Sequence, residues 1–385
     1  MEPWKLANRM REKSGQSVLL LGSFGESLVN FRGPLIRDLI PAGHRVIAGA
    51  PGISAKTRAE LEAIGATVVE TPMARTGLNP LSDIGYYFGL RRLMQRHHPH
   101  LLLTYTIKPN IWGAFAAAAE GVPSAAMVTG LGYAFTGSGG LRQKLVRYLA
   151  TQLYRQATNR NRKVIFQNPD DRDDFIKAGC LADPQKAGMV NGSGVDIKHY
   201  GLAPLPRQPV FLMISRLLGN KGVREYAQAA VATKKQLPQC RFLLVGYMDE
   251  GPDGIASNEL DAWCNAGLEY LGAMDDVRPA IASASVYVLP SYREGTPRSV
   301  LEAMSMGRAI ITSDAPGCRE TTVNGENGWL VAVKDSEGLA RRMSELAQSP
   351  RLRAAMGKTS REIAVNKYDT SAVNRSLMQQ LGLLG

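Results

Sequence analysis

Two glutamates, Glu294 and Glu302, are separated by seven residues, and two cations, Arg216 and Lys221, lie five apart around a turn that contains Gly219. An arginine offers a planar fork and a lysine a point charge, and both suit a diphosphate. Carboxylates instead accept hydrogen bonds from neutral hydroxyls. Acids beside a phosphate site conflict unless one ligand carries both hydroxyls and phosphates. A nucleotide sugar meets both demands, with ribose and sugar hydroxyls for the carboxylates and a diphosphate for the cations.

The elements that must position these groups can be read around them. Val286 to Leu289 is a short β-branched apolar run, the pattern of a buried parallel strand. Thr296 and Pro297 read as a helix start, with Thr as N-cap and Pro at the first helical position. Val300, Leu301, Met304 and Met306 give that helix an apolar face, Gly307 is placed to end it, and Ala309 to Thr312 is the next strand. A helix beginning at Gly295 and Thr296 presents backbone N–H groups and a positive dipole end to an anion. Ligands of open α/β sheets bind at the carboxyl ends of strands, where this loop lies. Ser215 and Arg216 follow a second such strand, Pro209 to Ile214.

Glu294, Glu302, Ala303-Met304 and Gly307 together resemble the signature of the family 4 retaining glycosyltransferases. The resemblance implies the GT-B fold, an α/β architecture of two Rossmann-like doubly wound domains facing across a cleft. By the same resemblance, Arg216 and Lys221 bind the donor diphosphate, Glu302 holds the ribose and Glu294 holds hydroxyls of the transferred sugar. Glu294, Arg216 and Lys221 are the implied catalytic group, and neither glutamate is a nucleophile. Gly295, Thr296, Ser215, Gly130, Leu131 and Asn191 are implied donor contacts. No metal and no cofactor is expected, with a UDP-sugar as co-substrate. The run Asn191-Gly192-Ser193-Gly194-Val195-Asp196 resembles the way into the second domain. The domains are therefore expected at 1–187, binding acceptor and facing a membrane, and 188–385, binding the nucleotide sugar. The last helix is expected to cross back to the first domain.

Three phrases, Ile107-Lys108-Pro109-Asn110, Thr129-Gly130-Leu131-Gly132-Tyr133 and the run from Pro297 to Met304, resemble a bacterial branch. That branch adds hexose or N-acetylhexosamine units to polyprenyl-diphosphate-linked saccharides. Many relatives carry a histidine after the strand read here at Ser124 to Val128. Thr129-Gly130 takes its place, so no catalytic histidine is carried over.

The rest of the first half must supply the acceptor side. Ser17 to Gly22 and His44 to Ala48 read as strands flanking a helix, but Gly22 and Gly25 do not complete a dinucleotide fingerprint. No acid ends the second strand, which disfavours a nicotinamide cofactor. Arg32, after that glycine loop, is a candidate acceptor-phosphate ligand or a plain helix-surface arginine. Lys108 and Asn110, in the loop after the strand Leu101 to Tyr105 and ahead of a helix over Trp112 to Ala119, are further candidate acceptor ligands, Lys108 for a phosphate or a sugar carboxylate. Val164 to Gln167 is read as the first domain's last strand.

The net charge of +12 is uneven, +9 over residues 1–185 and +3 over the remainder, which implies an anionic partner for the first half. Residues 142–163 hold seven basic and no acidic residues, interleaved with Leu141, Leu145, Tyr148, Leu149, Leu153 and Tyr154. This is the pattern of a basic amphipathic helix docking on an anionic membrane surface, or of a stripe packed on the core with solvated charges. Residues 1–16 read as a short amphipathic helix or a basic tail. No apolar run is long enough to cross a bilayer, and no signal core follows Met1. A cytoplasmic protein, peripheral on the inner face of the cell membrane, is expected. The four cysteines are dispersed, without zinc or disulfide spacing. No recognisable module interleaves aromatic platforms with the basic stretch, so nucleic acid is not expected as a partner. Two other classes remain open on sequence alone, a sugar-nucleotide epimerase of the same fold and a non-catalytic basic lipid- or RNA-binding protein.

Overall fold

The structure is a computed structural model that describes residues 15–73, 80–131 and 141–384. It divides into two compact units, Met1–Ser193 with Ser371–Gly385, and Gly194–Thr370.

The first unit runs β1 (Ser17–Leu21), α1 (Glu26–Asn30), α2 (Gly33–Leu39), β2 (Arg45–Ala50), α3 (Ala55–Ala63), β3 (Thr67–Glu70), α4 (Pro80–His97), β4 (Leu101–Tyr105), α5 (Ile107–Ala119), β5 (Ser124–Val128), α6 (Leu141–Thr158), β6 (Lys163–Phe166), α7 (Pro169–Lys177) and β7 (Ala187–Met189). Its parallel sheet has the order β3-β2-β1-β4-β5-β6-β7, so the order reverses between β1 and β4. Successive side chains of β1 leave opposite faces of the sheet, and both faces are covered. Val18 and Leu20 enter one core layer with Leu35 and Ile36 of α2, while Leu19 and Leu21 enter another with Tyr86 and Leu90 of α4.

The second unit runs β8 (Val210–Ile214), α8 (Val223–Gln236), β9 (Arg241–Val245), α9 (Ser257–Asn265), β10 (Leu268–Tyr270), α10 (Arg278–Ser283), β11 (Val286–Leu289), α11 (Arg298–Ser305), β12 (Ala309–Ser313), β13 (Gly328–Val331), α12 (Ser336–Gln348) and α13 (Pro350–Tyr368). Its six strands are also parallel, in the order β10-β9-β8-β11-β12-β13, and reverse between β8 and β11. The loops that carry Arg216, Lys221 and Glu294 leave the carboxyl ends of those two strands, the usual ligand edge of such sheets.

Helix α14 (Thr370–Leu381) returns to the first unit. Val373, Leu377, Met378 and Leu381 recur at helical spacing and join the core layer of Val18 and Leu20. Asn374 Nδ2 donates to Asp38 Oδ2 at 2.7 Å.

Three expectations are corrected here. Val164 to Gln167 is not the last strand of the first sheet, because β7 pairs beyond it, with Val164 opposite Ala187 and Phe166 opposite Met189. The first unit accordingly extends to Ser193 and not to residue 187. Helix α5 also starts earlier than expected, at Ile107, so Lys108, Pro109 and Asn110 form its first turn. A proline is tolerated there because first-turn N–H groups have no intrahelical partner.

Candidate active site

The loop after β11 is held from two sides. On one side lies the 3₁₀ turn Gly219–Lys221, which ends at Gly222 in the left-handed region with φ of 75°. A Cβ at Gly222 would meet the Pro290 carbonyl oxygen at 2.1 Å, so only glycine lets this turn lie so close. Ser291 Oγ and Tyr292 N both donate to Asn220 O, at 3.3 and 2.9 Å. On the other side, Glu294 N donates to Pro316 O at 2.9 Å, and a Cβ at Gly317 would meet Glu294 O at 2.1 Å. The result is an ion pair between Lys221 Nζ and Glu294 Oε1 at 2.6 Å.

Helix α11 begins at Arg298 with Pro297 as its cap residue. Thr296, expected as the N-cap, instead turns its hydroxyl to Gly295 O at 3.0 Å. The helix start is tied to the end of β8, since Ser299 Oγ donates to Ile214 O at 3.3 Å and Tyr287 Oη donates to the same carbonyl at 3.0 Å. Glu302, one turn on, is 6% exposed. Arg298 Nε lies 2.8 Å from its Oε1 as an ion pair, and burial, with the Glu302 charge close by, raises the pKa of the Tyr200 hydroxyl. Burial pushes the Glu302 carboxyl above the ordinary carboxylate value, while Arg298 and Tyr200 pull it back toward the charged form.

Arg216 follows β8, and its side chain is 45% exposed. It pairs with Asp249 Oδ2 at 3.3 Å, in the loop after β9. Ser215 Oγ donates to Arg216 O at 3.0 Å. Glu294, Gly295, Thr296 and Glu302 thus share one loop-and-helix start, which Lys221 meets from the turn after β8 and which Ser299 ties to the strand that delivers Ser215 and Arg216.

Of the first-unit candidates, Arg32, Lys108 and Asn110 each contact different partners. Arg32 caps α2 and is 3% exposed, its guanidinium lying 4.8 Å from the centre of the Tyr105 ring. Its Nη1 donates to Ser193 Oγ at 3.3 Å, its Nε has no hydrogen-bond partner, and burial lowers its affinity for the proton. A helix-surface arginine is therefore excluded. Lys108 Nζ is bound to Asp83 Oδ1 at 2.8 Å. Asn110 is 1% exposed, its amide accepting from Thr104 Oγ1 at 2.8 Å and donating to Met127 O at 2.9 Å. It ties β4 to β5 from within the core, which corrects its reading as an acceptor ligand. Gly130 sits at φ of 134°, Leu131 is buried in the core beside α6, and Asn191 is exposed after β7.

In α6 the apolar stripe divides. Tyr154 packs edge-on against Phe175 in the core, whereas Tyr148, Leu149 and Leu153 are exposed by 60%, 51% and 38%. The side chains of Arg142, Lys144 and Arg147, and most of the expected N-terminal helix over 1–16, lie outside the described residues. No helix among the described residues is long and apolar enough to cross a membrane. Among the same residues no three His, Cys, Asp or Glu side chains gather as a metal site.

Reading the sequence missed Tyr200, Asp249 and Arg298. Arg298 carried a signal, since it stands four residues before Glu302 on one helix face. Nothing in the sequence linked Tyr200 or Asp249 to the site.

The chain matches known proteins over nearly its whole length. A family model described as "Glycosyl transferase 4-like domain" matches residues 32–190, and one described as "Glycosyl transferases group 1" matches residues 208–349. The N,N'-diacetylbacillosaminyl-diphospho-undecaprenol alpha-1,3-N-acetylgalactosaminyltransferase of Campylobacter jejuni is 29% identical over 369 residues, covering 92% of this chain and 95% of that protein. The UDP-Gal:alpha-D-GlcNAc-diphosphoundecaprenol alpha-1,3-galactosyltransferase of Escherichia coli is 26% identical over 77% of this chain and 79% of its own. Among solved structures, Anabaena HepE in complex with UDP and glucose superposes with a TM-score of 0.76 at 20% identity, covering 95% of this chain and 99% of that one. With both units matched and the fold shared, the chain is a glycosyltransferase of family 4, built on the GT-B fold.

Proposed function

We propose that this glycosyltransferase moves a hexose or N-acetylhexosamine from a UDP-sugar to a polyprenyl-diphosphate-linked saccharide, with retention at the anomeric carbon and without a metal. The observation that carries the reading is the Lys221–Glu294 pair at 2.6 Å beside the start of α11. A phosphate-binding cation and a hydroxyl-binding acid meet there at a helix N-terminus. The two relatives named above, whose acceptors are undecaprenyl-diphosphate-linked, support the acceptor class.

Donor binding exchanges partners at this pair. Lys221 turns to the diphosphate, joined by Arg216, and Glu294 accepts from hydroxyls of the sugar. The cations and the α11 dipole neutralise the charge that grows on the leaving diphosphate, the largest demand of the reaction. Ser215, Gly295 and Thr296 line the diphosphate, and Glu302 holds the ribose. The acceptor hydroxyl attacks the face from which the diphosphate departs, and a leaving oxygen takes its proton.

The first unit receives the acceptor. Arg32, a buried guanidinium with no carboxylate partner among the described residues, is suited to an acceptor phosphate. The exposed Tyr148, Leu149 and Leu153 of α6, followed by the exposed Arg155 and Arg160, suit docking on an anionic membrane surface, where each cation adds about 1 kcal/mol.

The test is to incubate the protein with radiolabelled UDP- and GDP-sugars, with and without lipid-linked saccharide in anionic vesicles, in the presence of a chelator. Label entering the lipid fraction only with acceptor, in an α-linkage by NMR, supports the reading. Release or isomerisation of sugar from donor alone contradicts it.

A further inference from the structure

Glu302 is a buried acid of the second unit, and two residues to which no role has yet been given lie beside it. Arg298 occupies the first position of α11. A cation there faces the positive end of the helix dipole, an unfavourable placement. What it gains is the contact with Glu302, Nε to Oε1 at 2.8 Å, while its own side chain stays 33% exposed. The second residue is Tyr200, 7% exposed, whose buried hydroxyl is within electrostatic reach of both members of that pair. The backbone of Tyr200 is held independently of this hydroxyl. Ser305 Oγ donates to Tyr200 O at 2.7 Å and Arg361 Nη1 to the same oxygen at 3.3 Å.

A carboxylate has about four acceptor positions. Arg298 occupies part of that capacity on Oε1 and, with Tyr200 beside the pair, restrains the plane of the group. We infer that Arg298 and Tyr200 are positioning residues that aim the Glu302 carboxylate at the vicinal hydroxyls of the donor ribose and so make the site select ribonucleotides over deoxyribonucleotides. The inference rests on the reading that Glu302 holds the ribose.

A hydroxyl that finds a fixed acceptor is favoured over its absence by roughly 1–1.5 kcal/mol, or about tenfold in binding. The experiment measures dissociation constants of UDP and 2′-deoxy- and 3′-deoxy-UDP by calorimetry for the wild-type chain, Glu302→Ala, Arg298→Met and Tyr200→Phe. Wild type is expected to prefer UDP by about tenfold or more over at least one analogue. Glu302→Ala should bring that ratio near one. Arg298→Met should reduce it to threefold or less, and Tyr200→Phe, which removes one oxygen from an anchored ring, should reduce it at least twofold with unchanged melting temperature.

If Glu302→Ala keeps the full ratio, or wild type binds no UDP, the ribose reading fails beneath the inference. If Glu302→Ala flattens the ratio while Arg298→Met and Tyr200→Phe keep it, the positioning inference alone is overturned. Equal weakening of UDP and both analogues by Arg298→Met would make Arg298 a phosphate ligand and likewise overturn it.

Discussion

Lys221 Nζ lies 2.6 Å from Glu294 Oε1, and both side chains are partly open to solvent, by 21% and 15%. Their two loops are held in register by Gly222 against Pro290 and by Gly317 against Glu294, so the pair is a consequence of backbone packing and not of chance surface contact. On the proposed reading, a bound sugar diphosphate separates the two groups.

That separation can be measured. A double-mutant cycle with Lys221→Met and Glu294→Gln should give a coupling of about 0.5–1 kcal/mol in unfolding free energy without ligand, the range of a partly exposed pair. With saturating UDP-sugar the coupling should fall toward zero, because each group has taken a new partner. Coupling unchanged by UDP-sugar would contradict the exchange.

Glu302 sets a pH dependence. Burial raises its folded pKa above the ordinary 4.5, so the folded chain holds this proton more tightly than the unfolded chain. Its contribution to stability is therefore fully present below that ordinary value and is lost as pH rises through the folded pKa. Glu302→Gln should match the wild-type melting curve at acid pH and exceed it at neutral pH. Scanning calorimetry across pH 4 to 8 checks the sign, and a variant less stable at neutral than at acid pH, relative to wild type, would refute it.

Asn110 was legible as a polar residue near a strand end and was misassigned for that reason. Its amide is consumed by Thr104 and the Met127 carbonyl inside the core. Asn110→Leu strands both partners and should cost about 1–3 kcal/mol in denaturant unfolding, with the acceptor KM unchanged in whatever fraction stays folded. A rise in that KM at full stability would restore the acceptor role.

The exposed face of α6 makes a prediction about partition. Replacing Tyr148, Leu149 and Leu153 together by Ser removes apolar side chains worth about 1.5–3 kcal/mol each when fully buried. Even shallow insertion should then fall by ten- to a hundredfold in sedimentation with anionic vesicles, at constant activity on a detergent-dispersed acceptor. Equal sedimentation of both proteins would remove α6 as the docking element.

How much of this was legible follows from sequence distance. Glu294, Glu302 and the helix between them belong to one β-α-β unit, so apolar periodicity and a fixed spacing place them on the same edge. Lys221 follows from the turn after β8. Tyr200 and Asp249 reach the site only through tertiary packing, which no local pattern encodes. Strand β7 consists of Ala187, Gly188 and Met189, too short and too poor in β-branched residues to read as a strand, and the expected domain limit at 187 cuts into it. Thr296 and Pro297 carry the usual residues of a helix start one position out of register. Pro297 caps the helix and the Thr296 hydroxyl bonds its own neighbour's carbonyl. Arg32 read as a surface arginine or an acceptor ligand, and only its burial over Tyr105 decides against the surface.

The most direct measurement is the rate of sugar transfer from UDP-sugar to lipid-linked saccharide by Glu294→Ala. The account predicts a loss of at least about a hundredfold, the scale of one lost transition-state contact, with a melting temperature and UDP affinity close to wild type. Transfer within a few-fold of wild type in that folded variant would contradict it.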